Sequence, residues 1–119
     1  MMAIERLHIG PRMSQVVIYN GVIYLAGQVA ARAPGGSVAE QTKDILARID
    51  ELLKEARSDK SKILSATIWL TDMSTFPEMN AVWDKWVVEG ATPARATVEA
   101  PKLAGPAFKV EIAIVAAQG

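Results

Sequence analysis

One arginine in the segment TPARATVEA, residues 92–100, is placed where it could bind an acidic ligand. Small or apolar residues alternate there with Arg95 and Thr97, which is the period of a half-buried strand. A guanidinium offers a rigid fork of donors that matches a carboxylate. Glu111 lies in a second alternating segment, and a carboxylate in a cleft can orient a water molecule. The alternative is a cross-strand ion pair of little energetic consequence.

The two charged side chains are predicted to share one face of a sheet. The alternation assigns Ala96 and Val98 to the core, which leaves Arg95 and Thr97 on the opposite face. The last strand directs valine and isoleucine to the core and Glu111 away from it. We therefore expect Arg95 and Glu111 together on the face that the helices do not cover.

Strands are predicted from runs of β-branched and aromatic residues bounded by turn residues. Asn20-Gly21 separates two of these runs and supplies the two positive φ angles of a type I′ hairpin turn. The predicted strands cover residues 3–7, 16–19, 22–30, 63–70, 94–100 and 108–116.

Two helices are predicted between these strands. Ser37 and Glu40 have the spacing of a capping box, and the apolar stripe that follows indicates a helix to about residue 56. A second helix is expected from residue 74 or 75, with Pro77 in its first turn and Gly90 as its stop. The order β-β-β-α-β-α-β-β predicts an α+β sheet with both helices on one face.

The second face of this sheet is predicted to be unusually apolar. The expected core positions of strands 22–30 and 63–70 are Ile23, Leu25, Val29, Leu64, Ala66, Ile68 and Leu70. Between them lie Tyr24, Ala26, Gln28, Ser65, Thr67 and Trp69. A patch with so little charge favours a homo-oligomer in which copies of the chain cover it, although Tyr24 and Trp69 are alternatively ordinary surface aromatics.

Composition restricts the class of protein. The 119 residues suit one domain, residues 1–119, and 13 basic residues balance 13 acidic ones without a basic stripe, which argues against nucleic-acid binding. The chain has no cysteine and one histidine, His8, so no metal site is predicted. The N-terminus lacks the apolar core of a signal peptide and no stretch has membrane-spanning length, so we expect a cytoplasmic protein without membrane contact.

Five segments together resemble the RidA family, the reactive intermediate deaminases also called the YjgF family. They match in order over nearly the whole chain: YLAGQVA, EQTKDILARIDELLKEA, ATIWLTDMSTFPEMNAVWDKWV, PARATVEA and KVEIAIVA. The resemblance implies a chorismate-mutase-like mixed sheet that assembles as a homotrimer with ligand clefts between subunits. Members of the arginine-bearing branch hydrolyse 2-imino or enamine acids to 2-keto acids and ammonia without a cofactor.

The resemblance also implies roles for individual residues. Arg95 would bind the substrate carboxylate, and Glu111 would position the attacking water. Asn80 would line the cleft, Gly27 would hold the ligand through its backbone, and Thr97 lies two residues beyond the arginine. The chemistry is compatible with these groups, because an imine carbon is already electrophilic and mainly requires a bound acid and a placed water.

Three departures from the family pattern involve the predicted cleft. Ala26 stands where the family usually has serine, Arg12 follows Gly10-Pro11 where a tyrosine is common, and Thr97 stands where cysteine is frequent. These changes leave open a non-catalytic module that binds or senses small carboxylic acids. A ribonuclease or translational role, reported for some similar proteins, ranks third because of the neutral charge balance.

Overall fold

Residues 3–119 of the computed structural model form one mixed sheet and two helices. The strands are β1 Glu5–Ile9, β2 Ser14–Tyr19, β3 Val22–Leu25, β4 Gln28–Val29, β5 Ile63–Leu70, β6 Ala94–Glu99 and β7 Val110–Ala117. The helices are α1 Val38–Glu55 and α2 Phe76–Trp86. Both helices pack into a single buried core with the sheet. The predicted α+β architecture with two helices is confirmed, while the strand predicted at 22–30 is divided into β3 and β4.

The sheet has the order β1-β2-β3-β7-β5-β6, and β4 also pairs with β7. Only β5 and β6 are parallel to each other, since every other pair is antiparallel. Parallel neighbours need a crossover connection, and α2 supplies it between β5 and β6. Strand β6 therefore lies at one edge of the sheet, and β1 lies at the other.

The hairpin between β2 and β3 forms as the sequence predicts. Asn20 and Gly21 have φ angles of 53° and 76°, the positive values that a type I′ turn requires. The turn fixes the register that pairs Tyr19 with Val22. A local signal of two residues thus determines which side chains of both strands face the core.

Helix α1 begins with the predicted capping box. The Ser37 hydroxyl accepts a hydrogen bond from the Glu40 backbone N–H at 3.1 Å, and the Glu40 carboxylate accepts one from the Ser37 N–H at 3.0 Å. These bonds satisfy two backbone donors that the first turn leaves without helical partners. The helix then buries an apolar stripe that includes Ile45, Ile49 and Leu53.

Ser37→Ala is expected to lower the free energy of unfolding by about 1 kcal/mol, because the first turn loses its capping oxygen. Ser37→Thr keeps a hydroxyl and is the matched control. Urea denaturation of both variants measures the difference. An equal loss in the two variants would show that something other than the hydroxyl is responsible.

The same capping box makes stability depend on pH. The hydrogen bond from the Ser37 backbone holds the pKa of Glu40 below its ordinary value of 4.5. Its stabilising contribution is therefore complete above pH 4.5 and is lost as the pH falls through the lower folded pKa. Glu40→Gln, which keeps the capping geometry but cannot titrate, should be less sensitive to acid in thermal melts. An unchanged pH profile would contradict this assignment.

Helix α2 has different ends from those predicted. A short 3₁₀ turn, Met73–Thr75, precedes it, and Phe76 is its first residue. It ends at Trp86 rather than at Gly90, because Val87 already has extended backbone angles of −64° and 153°. Gly90, with φ of 80°, lies in the loop that follows.

Two of the core positions predicted in strands 22–30 and 63–70 are wrong. A bulge between Ile63 and Ser65 turns Leu64 outward, and its side chain is 50% exposed. The interruption between β3 and β4 reverses the alternation, so Gln28 is buried and Val29 is only half-buried. Both errors have one cause. An irregular residue in a strand shifts the alternation of side chains by one position, so the residues that follow it point to the opposite face.

Across β3, β5 and β7, the face of the sheet opposite the helices is largely apolar, as predicted. Pairing places Tyr24 beside Val115, Thr67 beside Ala113, and Trp69 beside Glu111 on this face. Tyr24 is 48% exposed, and the others are half-buried. We call these residues the open face: Tyr24, Thr67, Trp69, Glu111, Ala113 and Val115. Glu111 is the charged member of this set.

Candidate functional site

The pairing of β6 with β5 determines where Arg95 points. Arg95 pairs with Ala66 and Thr97 with Ile68, and both of these partners are buried beneath the helices. Residues that pair across neighbouring strands direct their side chains to the same face. Arg95 and Thr97 therefore lie on the helix-covered face, at the sheet edge.

The prediction that Ala96 and Val98 face the core is consequently wrong. Both residues are exposed, and Val98 is 45% exposed on the open side of the sheet. The reason is that Arg95 has aromatic partners on α2. Its guanidinium carbon lies 5.6 Å from the Phe76 ring centroid and 5.3 Å from the Trp83 ring centroid. Arginine stacks well on such rings while its donors remain free for a ligand.

Two buried polar atoms accompany this arginine. The Asn80 Oδ1 atom and the Thr97 Oγ1 atom are buried and have no hydrogen-bond partner among residues 3–119. Asn80 lies between Phe76 and Trp83 on α2, at spacings that place all three on one helical stripe. Arg95 itself forms no ion pair within the described chain. We call these five residues the arginine cluster: Phe76, Asn80, Trp83, Arg95 and Thr97.

Glu111 occupies a separate position on the open face. A Cβ built on Gly27 would overlap the Glu111 carboxylate, so the absence of a side chain at residue 27 makes room for this group. The Glu111 carboxylate has no hydrogen bond or ion pair among residues 3–119. Gly27 and Glu111 together present a carboxylate and an exposed stretch of backbone.

Arg95 and Glu111 therefore do not share a face, and the prediction that they do is wrong. Arg95 follows Ala66 toward the helices, whereas Glu111 follows Trp69 away from them. Neighbouring residues on a strand point to opposite sides of the sheet. Within one chain the sheet itself separates the two groups.

Ala26 lies in the interruption between β3 and β4. Its N–H donates to the Gln15 carbonyl at 3.0 Å, and its carbonyl accepts from Gln28 Nε2 at 3.0 Å. Gln28 Nε2 also donates to Gln15 Oε1 at 2.8 Å. This partly buried amide pair fixes the backbone beside Gly27 without a hydroxyl at residue 26.

Arg12 is exposed in the loop between β1 and β2. The strand order places that loop at the edge of the sheet opposite β6. The fold of one chain thus does not bring Arg12 together with Arg95. Within residues 3–119 the structure has no cluster of three or more His, Asp or Glu side chains suited to a metal ion.

Phe76 and Trp83 are members of the site that sequence reasoning missed. Their helical spacing is typical of core positions, and Trp83 is 5% exposed. The available signal was the stripe they share with Asn80, since a buried amide needs a hydrogen-bond partner that apolar neighbours cannot supply. Within residues 3–119, no helix is both long enough and apolar enough to cross a lipid bilayer.

The fold and these unpaired groups define a small α+β protein with an arginine cluster at one sheet edge and a carboxylate on its open face. The family model described as Endoribonuclease L-PSP matches residues 4–118. The chain belongs to this family, which is the YjgF or RidA family that its motifs resemble.

Relatives of known sequence and structure agree with this assignment. A RutC family protein of Haemophilus influenzae is 47% identical over 115 residues, covering 97% of this chain and 98% of the relative. A 2-iminobutanoate/2-iminopropanoate deaminase of Bos taurus is 36% identical over 117 residues, covering 93% and 82%. The crystal structure of a YjgF family member from Neisseria meningitidis is 48% identical, with a TM-score of 0.95 and coverage of 99% and 97%.

Proposed function

We propose that the protein hydrolyses reactive 2-imino and enamine acids to 2-keto acids and ammonia. The observation that carries this proposal is Arg95, an arginine without an ion-pair partner in residues 3–119 and in contact with two aromatic rings. A guanidinium held in this way is preorganised to bind a carboxylate through two parallel hydrogen bonds. The deaminase from Bos taurus supplies the reaction class by similarity.

The proposed site lies at a seam between two protomers of a homotrimer. One protomer contributes the arginine cluster, and its neighbour contributes Glu111 and Gly27 from the open face. The apolar character of the open face supports this assembly, because the side chains of Tyr24 and Trp69 would otherwise remain in contact with water. The buried Asn80 and Thr97 oxygens would then find their donors in the ligand or in the neighbouring protomer.

The chemistry needs few groups. Arg95 holds the substrate carboxylate, which places the imine carbon near the neighbour's Glu111. Glu111 accepts a hydrogen bond from a water and orients its oxygen toward that carbon. Addition of the water gives a carbinolamine, and its collapse to the keto acid releases ammonia. The protons come from the same water, so atoms and charge balance without a cofactor.

An amino-acid oxidase that generates imino acids in the assay provides the test. The protein should accelerate ammonia release, and it should lower the amount of imine captured by semicarbazide. A panel of oxidase substrates would define the preferred side chain. Rates equal to the uncatalysed reaction for every member of the panel would overturn the proposal.

Gly27→Ala is expected to lower kcat by about tenfold or more while leaving the fold intact, because displaced catalytic groups lose their alignment. The new methyl group would meet the end of the flexible Glu111 side chain, which can move away. The free energy of unfolding should therefore change little. Gly105→Ala, where an added Cβ meets the Phe108 ring, is the matched control and should keep kcat. Unchanged kcat in Gly27→Ala would contradict the placement of the water by Glu111.

Ala26 favours one alternative function. Its backbone is fixed by Gln15 and Gln28, but it provides no hydroxyl to the proposed seam. A carboxylic-acid binding or sensing module would show saturable binding of pyruvate that depends on Arg95, with no ammonia release. The same oxidase-coupled assay, combined with a pyruvate titration, separates the two functions.

A further inference from the structure

A groove separate from the arginine cluster runs between the outward faces of α1 and α2. It has a volume of about 540 Å³, which is within the size of small-molecule sites. Small or apolar side chains form its floor: Leu46, Ala47, Ala81, Val82 and Trp86. The lining includes neither Arg95 nor Glu111, so the groove is independent of the proposed deaminase site.

Hydrogen bonds between the helices define the two ends of the groove. The Ala39 N–H donates to Glu78 Oε2 at 2.9 Å, and the Trp86 indole N–H donates to Asp50 Oδ2 at 3.0 Å. The helices therefore run in the same direction along the groove. The stretch from Ala39 to Asp50 is roughly 16 Å long, at a rise of about 1.5 Å per residue.

Three lysines line this apolar floor. Lys43, Lys60 and Lys85 form no ion pair with any of residues 3–119. The two carboxylates in the lining, Asp50 and Glu78, already accept the interhelical hydrogen bonds. The lining thus carries one net positive charge, three lysines against two acids.

The positive charge is concentrated at the Trp86 end. Lys60 Nζ lies 5.4 Å from the centroid of the Trp86 ring, and Lys85 precedes Trp86 in the helix. Asp50 is the opposing charge at this end, and Lys43 and Glu78 balance each other at the other end. A complementary ligand has an anionic head for the lysines and a linear apolar chain for the floor.

We propose that this groove binds an anionic amphiphile with an alkyl chain of about twelve carbons. A zigzag chain advances about 1.25 Å per bond, so twelve carbons span roughly 14 Å and leave room for the head group in the groove. The head group lies beside Lys60 and Lys85, and the chain extends toward Ala39. An acidic protein helix is a poorer fit. A groove of this length contacts about three turns of a helix, which is too small a contact for a stable protein interface of about 800 Å² per partner.

Dodecanoate, below its micellar concentration, is the probe. The protein used is the Arg95→Ala variant of the full chain, so that a carboxylate cannot bind at the arginine cluster. Calorimetry should show one saturable site per protomer. Octanoate should bind about two orders of magnitude more weakly, because each buried methylene tightens binding about fourfold. Dodecyltrimethylammonium, with the same chain and a positive head, should not bind.

Variants locate the site. The double change Lys60→Glu and Lys85→Glu should weaken dodecanoate binding at least tenfold, and Ala81→Phe should abolish it by filling the floor. Lys54→Glu, on α1 outside the groove, is the matched control and should bind normally. Ala81→Phe in the wild-type background should retain imine hydrolysis, which distinguishes this site from the proposed deaminase.

Three results would overturn the proposal. One is equal binding of the cationic and anionic amphiphiles. A second is dodecanoate binding that survives Ala81→Phe in a protein whose circular dichroism is unchanged. The third is preferential binding of an acidic amphipathic peptide, which would assign the groove to a protein partner instead.

Discussion

We expect mixed oligomers of Arg95→Ala and Glu111→Gln protomers to regain imine hydrolysis that neither variant has alone. Arg95 lies on the helix-covered face and Glu111 on the open face, so a site that contains both must take them from different protomers. In a cyclic oligomer, each seam takes residue 95 from one protomer and residue 111 from the next. In an equal mixture each of the two is native in about half of the seams, so about one seam in four has both native residues. The mixture should therefore recover about a quarter of the wild-type rate per site, measured in the oxidase-coupled assay.

A third variant supplies the control for this experiment. Mixing Arg95→Ala with the double variant Arg95→Ala/Glu111→Gln should restore nothing, because no seam contains a native arginine. Native mass spectrometry would verify that protomers have exchanged. If exchange is complete and the first mixture shows only the mean of its separate rates, the two residues do not act at a common seam.

Arg95→Ala should reduce kcat/KM for imine hydrolysis by roughly two to four orders of magnitude, since it removes two hydrogen bonds and each bond to a charged group contributes about 1.5–3 kcal/mol. Arg95→Lys keeps the charge but loses the fork and the flat surface that stacks on Phe76 and Trp83, so it should still lose about tenfold or more. Steady-state rates and pyruvate titrations measure both effects.

The Arg95 variants should remain folded, so that their loss of activity can be assigned to the binding site. Loss of the two ring contacts should lower the free energy of unfolding by about 1 kcal/mol, which leaves the fold intact. Arg48→Ala removes an arginine on α1 that pairs with Glu51 and should keep full activity. Wild-type kcat/KM in Arg95→Lys would exclude bidentate binding of the carboxylate.

The local features of the fold could be predicted because their hydrogen bonds form within a few residues. The Asn20-Gly21 turn and the Ser37–Glu40 capping box are of this kind, and the structure has both. The bulge at Leu64 could not be predicted in this way, because the partner strand β7 sets the register that places it. The interruption at Gly27 had a glycine as its signal, but apolar neighbours on both sides favoured one continuous strand.

The orientation of β6 was mispredicted for a different reason. Hydrophobicity assigns Ala96 and Val98 to the core and Arg95 to solvent, as it would in a sheet with one buried and one solvent-exposed face. Here both faces of β6 are only partly covered, and the arginine stem with its aromatic partners is a better match to the helix side than a small alanine. The motifs identify the proposed site residues of β6. The side of the sheet to which these residues point follows only from the pairing of β6 with β5.

The parallel pairing of β5 with β6 has a consequence for how the protein acquires its arginine cluster. All five members of the cluster belong to the continuous strand–helix–strand segment between Ile63 and Glu99. Closing such a short loop costs little chain entropy, so this segment can assemble before the distant N-terminal hairpin docks. Glu111 belongs to the last strand of the chain, so we expect the arginine cluster to be assembled before the strand that carries this carboxylate joins the sheet.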